Sequence, residues 1–184
     1  MLKHLLGLAP KPNQAVVEKL YRQIVAAARQ PVAYDAWSVP DTPLGRFEML
    51  SLHVFLLMHR ARREGPPLSE LVQDLTDEFF RDVDHSLREL GIGDLGIAKR
   101  VKKLARMFYG RAGAYGEAIE AGDRAALSAA LARNIRPDTT DWQGAAPLAD
   151  YVMAAHEALQ RRDSESLLRG EIAFPPAEGR PAGA

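Results

Sequence analysis

Apolar residues recur along most of this chain at the three-and-four spacing of helices, and the stretches end at glycine or proline. Asn13 is placed to cap a first helix that carries Val16, Val17, Leu20, Ile24 and Val25 and stops before Pro31. From Gln30 to Gly45 the prolines at 31, 40 and 43 predict a loop, with Tyr34 and Trp37 pinning it to the body. A second helix over 46–64 is apolar nearly all round in its middle, the pattern of a central helix buried on several sides. Leu68, Leu71, Val72, Leu75, Phe79, Val83, Leu87 and Leu90 form a one-sided stripe over a third helix, which Gly91 ends.

Asp94 is placed to cap a fourth helix through Ile97, Val101, Leu104, Met107 and Phe108, running on toward Ile119 with Gly110, Gly113 and Gly116 as points of kinking. Asp123 caps a fifth helix to about Arg133, a last main helix covers 147–161, and a turn follows at 164–168. Sustained alternation with β-branched residues is missing, so the expectation is an all-α, single-domain bundle of about six helices with a long proline-containing loop between the first two. The helical domain spans 13–170, with an N-terminal extension at 1–12 and a disordered tail at 171–184 that is rich in Pro, Gly and Ala.

Charge narrows the functional classes. Lys and Arg together number 24, as do Asp and Glu, so no global field draws the chain to DNA or an anionic bilayer, and a charge-driven partner must use a local patch. The third helix carries seven acids against Arg81 and Arg88, while the fourth carries Lys99, Arg100, Lys102, Lys103, Arg106 and Arg111 with no acid among them. These helices can complement each other or offer opposite faces to partners. A basic helix with Phe108, Tyr109 and Tyr115 also suits RNA or a bilayer surface. The chain contains no cysteine, which removes disulfides, thiolate nucleophiles and thiolate metal sites. Val54–Met58 is the longest run of large apolar residues, far short of the roughly 20 needed to span a bilayer. The first ten residues are too broken in hydrophobicity for a secretory signal.

Catalytic chemistry finds little support. Asp77-Glu-Phe-Phe-Arg-Asp82 has the outline of an aspartate-rich magnesium site, but diphosphate chemistry requires a second acidic motif on a facing helix. Asp82 and His85 have the spacing of a di-iron ligand pair without its counterpart, and His53 and His59 fall on different faces of one helix. Ser51, Ser69 and Ser86 lack a nucleophile elbow. A protein without catalytic function, cofactor or metal is therefore expected, and a helical enzyme acting on an isoprenoid or quinone-type lipid is the alternative.

Several blocks in order make the chain recognisable. Val39-Pro-Asp-Thr42, Gly45-Arg-Phe-Glu-Met-Leu50 and Leu52-His53 are followed by Phe80-Arg-Asp-Val-Asp84, Leu87-Arg-Glu-Leu-Gly91 and Gly93-Asp-Leu95. Lys99-Arg-Val-Lys102, Phe108-Tyr-Gly-Arg111 and Ala114-Tyr115 complete them. Across Leu20 to Asn134 this resembles the ubiquinol-cytochrome c chaperone family. The resemblance implies a helical assembly factor for the cytochrome bc1 complex that protects newly made cytochrome b until haem and partner subunits are in place. Mitochondrial members associate with ribosomes and a small partner protein. With no long Arg- and Ser-rich presequence, this chain resembles a bacterial member, expected in the cytoplasm and peripheral at the inner membrane. A ribosome-to-membrane adaptor is a further alternative.

Charged residues inside the matched blocks are the candidates for client or partner binding: Asp41, Arg46, Glu48, Asp84, Arg88, Glu89, Asp94, Lys99, Arg100, Lys102 and Arg111, with Phe47 and Tyr109 as apolar members. The same residues suit fold-fixing roles, with Asp94 as a helix cap and Arg46 or Arg88 in salt bridges. The expectation is that the Arg-rich and Asp-rich blocks converge where the second, third and fourth helices meet.

Overall fold

The computed structural model describes residues 13–91 and 93–178, with residues 94 and 95 described by their backbone alone. The extension at 1–12 and the tail at 179–184 lie outside the described residues. Eight helical segments and no strand occur among the described residues. Six are long: α1 (Gln14–Ala28), α3 (Pro43–Ala61), α4 (Leu68–Glu89), α5 (Asp94–Glu120), α6 (Arg124–Ile135) and α7 (Ala145–Gln160). Two are short, α2 (Pro31–Asp35) and α8 (Ser164–Leu168). None of the described helices is long and apolar enough to cross a membrane.

The all-round hydrophobicity of α3 has its explanation in position. This helix packs against α1, α4, α5, α6 and α7, so Leu52, Val54, Leu56 and Leu57 are buried although they point in different directions. It begins earlier than expected because Pro43 occupies its first turn, where the missing N–H is not needed, and the Thr42 hydroxyl accepts a hydrogen bond from Gly45 N at 3.1 Å. Pro31 opens α2 in the same way, placing a short helix inside the expected loop. Trp37 and Val39, just beyond it, are buried in the core.

Gly45 is held by close approach. A Cβ there would stand 1.9 Å from the Pro40 carbonyl oxygen, so the strap over Pro40–Thr42 can lie on α3 only if the side chain is hydrogen. Gly45→Ala is expected to cost roughly 1–3 kcal/mol of stability, measured by urea denaturation, as overpacking at a rigid backbone contact does. An unchanged midpoint would show that the strap moves freely.

Caps follow the sequence in some places and depart from it in others. Asp123 and Asp163 accept hydrogen bonds from Ala126 N at 2.8 Å and Ser166 N at 2.7 Å. Asn13 holds the N-cap position of α1 but makes no capping bond; its amide donates to Asp74 at 3.2 Å, tying α1 to α4. Asp94 is the first helical residue of α5, and Gly93 takes the cap position it was expected to fill. Through all three central glycines α5 runs unbroken, and at Gly116 a side chain would press on the His59 ring at 3.3 Å, so the missing Cβ lets α5 close on α3.

The chain beyond 170 packs as far as it is described, where a disordered tail was expected. Ile172 is buried, the Phe174 ring meets His53 edge-on at 4.9 Å, and Ala177 N donates to Gln30 Oε1 at 2.6 Å. Two bulky apolar side chains offset the ordering of a Pro-containing segment whose composition reads as solvated. A polar chain continues inward: Gln30 Nε2 donates to Tyr151 Oη at 3.4 Å, and Tyr151 Oη lies 2.7 Å from His53 Nε2. His53 Nδ1 lies 2.7 Å from the Met49 carbonyl, so Nδ1 carries the proton and Tyr151 donates to Nε2. Burial depresses the fully buried His53 imidazole to about 4 and pushes the Tyr151 phenol up.

Candidate functional site

The apolar stripe of α4 outlasts the core. Leu75 and Phe79 are fully buried and Val83 nearly so, Leu87 is half-buried, and Leu90, the last residue of the stripe, is 61% exposed. The end of α4 therefore forms one wall of an open groove of about 350 Å³, whose other walls are the end of α1 and the start of α3. Phe47, Leu50, Val83, Leu87 and Leu104 line its apolar part, and Val25 and Ala28 supply the α1 wall. Arg29, Arg46, Asp82 and Glu89 stand among the lining groups, so a greasy floor carries charges of both signs.

Arg46, Asp82 and Glu89 each have a partner. Arg46 Nε donates to Asp41 Oδ1 at 2.6 Å, and this hydrogen bond keeps the Asp41 carboxyl below the usual range. Tyr21 donates to Asp82 Oδ2 at 2.7 Å; burial first, and that bond second, raise the Tyr21 phenol far above its ordinary value. Glu89 lies 3.3 Å from His85 Nε2, one turn back on α4, and Asp84 accepts from Arg88 Nε at 2.6 Å. Arg46, Phe47 and Glu89, named from the sequence, share this groove. Leu50, Val83, Leu87, Leu90 and Leu104 were not among the candidates; the α4 stripe, which continues to its last turn, is the trace that Val83, Leu87 and Leu90 leave in the sequence, while Leu50 and Leu104 read only as apolar positions of their own helices.

Two candidates meet elsewhere. Arg111 Nη1 donates to Glu48 Oε2 between α5 and α3, with the side chains 14% and 3% exposed. Burial outweighs the hydrogen bond from Arg111 and raises the Glu48 carboxyl above its normal range. Glu48 Oε1 and the neighbouring Ser51 hydroxyl are buried without partners among the described residues. The charges of this pair face each other inside the bundle.

The remaining basic candidates face outward. Lys99, Arg100 and Lys102, with Lys103 and Arg106, are exposed on α5. The acids of α4 do not cover them: Glu78 pairs with Arg81, Asp82 with Tyr21, Asp84 with Arg88 and Glu89 with His85. Tyr109 stands on the same helix, 52% exposed, beside the half-buried Phe80. From there a relay of rings through Phe108, Phe79 and Phe47 leads into the core. Phe55, Phe79 and Phe108 are packing groups. No cluster of three or more His, Asp or Glu that could hold a metal occurs among the described residues. The candidate charges thus fall in four places, groove, buried pair, basic face and the Asp84–Arg88 pair on the surface of α4, and the side chain of Asp94 lies outside the described residues.

Residues 35–174 match the family described as ubiquinol-cytochrome C chaperone. The chain belongs to that family. The crystal structure of the Cbp3 homolog from Brucella abortus superposes with a TM-score of 0.84 at 55% identity, covering 95% of this chain and 97% of that one. Ubiquinol-cytochrome-c reductase complex assembly factor 1 of Xenopus laevis is 28% identical over 145 residues, 78% of this chain and 72% of that protein. The span shared with the ubiquinol-cytochrome C chaperones starts within α2 and runs on through α7 and α8, beyond Asn134 where the sequence blocks end. It takes in the groove walls from α3, α4 and α5 and leaves out the wall from α1.

Proposed function

We propose that this ubiquinol-cytochrome C chaperone holds newly made cytochrome b during assembly of the ubiquinol-cytochrome c reductase complex, and that the groove between α1, α3 and α4 receives an apolar segment of that client. The family match over residues 35–174 carries the reading, and an assembly factor of that complex among its relatives supports it. The groove supplies the means. A client destined for a membrane must have apolar surface covered until it is inserted, and a floor of Phe47, Leu50 and Leu87 beside fixed charges offers burial together with polar contacts that set register. The protein works by binding, without catalysis, in the cytoplasm at the inner membrane face where the client is inserted.

The test is affinity capture of the tagged full chain from cells making the complex. Native protein should recover cytochrome b. Leu90→Glu puts a charge on a residue already exposed, so the fold is kept and recovery should fall about ten-fold or more, as for a central interface anchor. If cytochrome b is missing from the native eluate even after cross-linking, the client assignment fails. If Leu90→Glu recovers as much as native, the groove is not the binding face.

A further inference from the structure

The outward face of α5 is a second surface, separate from the groove. At about 100° per residue, Lys99, Arg100, Lys102, Lys103 and Arg106 cover about 160° of the helix, opposite the side that buries Ile97 and Phe108. The sequence contains no acid between Asp94 and Glu117, and none of the five cations makes an ion pair or side-chain hydrogen bond with any described residue. In a chain of zero formal net charge, such a one-signed face is a local field, able to orient the molecule and not merely attract it. One large amphipathic group stands exposed at the edge of this face, Tyr109 on α5 itself.

We propose that this face of α5 docks the protein on a bilayer rich in anionic phospholipid, the cations over the headgroups and Tyr109 at the interface. Charge complementarity and the flanking Tyr109 together favour this occupant. Single-stranded RNA requires several aromatic platforms for its bases, and Tyr109 is the only aromatic residue among the large hydrophobic side chains exposed in the described structure. A bilayer requires only diffuse positive charge and a few amphipathic or apolar side chains at its edge. The inference stands apart from the identity of the client, since the face needs no client to bind lipid.

Co-sedimentation of the purified full chain with phosphatidylcholine vesicles, with and without phosphatidylglycerol, tests it. Binding is expected to the mixed vesicles and not to pure phosphatidylcholine, and to weaken as added salt screens the charges. Lys102→Gln with Lys103→Gln should lower partitioning about 25-fold, at roughly five-fold per charge. Both side chains are exposed, and an unchanged helical circular dichroism spectrum identifies the loss as electrostatic. Equal binding to neutral vesicles, or full binding by the double variant, overturns the proposal. So does lysine-dependent binding of single-stranded RNA or polyglutamate by a protein that leaves anionic vesicles alone.

Discussion

Arg111→Met should lower folding stability by about 3–5 kcal/mol, the range for removing one partner of a buried ion pair. Methionine keeps the unbranched apolar stem of the side chain and deletes the guanidinium, leaving the buried Glu48 carboxyl with neither oxygen satisfied. Urea or guanidinium denaturation measures the loss. The companion experiment separates charge from packing: Glu48→Leu combined with Arg111→Met removes both charges and should recover most of the stability, because an apolar replacement of a whole buried pair is often neutral. A single variant within 1 kcal/mol of native, or a double variant as unstable as the single, would contradict the burial seen between α3 and α5.

Acid should destabilise the protein well before its exposed carboxylates titrate. His53 is fully buried and depressed to about 4, against an ordinary value of 6.5. The unfolded chain thus takes up a proton that the folded chain refuses. Stability from this group is complete above the unfolded value and is lost as pH falls from 6.5 toward 4, a loss of roughly 3 kcal/mol. His59, held down to about 4 by burial and by Arg62, and His156, lowered mainly by burial, act in the same direction. Glu48 opposes them, since its raised folded value favours protonation of the native state. Denaturation midpoints followed downward from about pH 7 should fall through this window. A flat profile, or a His53 resonance titrating near 6.5 in the folded protein, would refute the assignment.

The six long helices were legible because each carries its own periodic stripe and its own stops. Details that depend on a partner far along the chain were not. Glu48 and Arg111 are 63 residues apart, and nothing at either position announces that they meet inside the bundle and not on its surface. The α4 stripe predicts that Leu87 and Leu90 share a face with Leu75, but a stripe does not record where the neighbouring helices end, and the groove exists because α4 reaches past them. Asp94 was read as a cap from residue type alone, whereas the backbone turns one position earlier, at Gly93. Phe174 was hidden by the prolines after it, which read as a solvated tail until His53 supplies the ring it packs on. Gly45 and its block carried the family resemblance, and the Pro40 contact gives one physical reason that position takes glycine.

One wall of the groove has a different standing from the rest. The floor comes from α3, α4 and α5, inside the span shared with the family, while Val25, Ala28 and Arg29 come from α1, outside it. That wall is seated by one set of residues and faces the cleft with another: Val17, Leu20 and Ile24 are buried and hold α1 in the bundle, while the part-buried Val25 and the exposed Arg29 line the groove. Changes at those two positions can therefore alter the width or polarity of the cleft without unseating the helix.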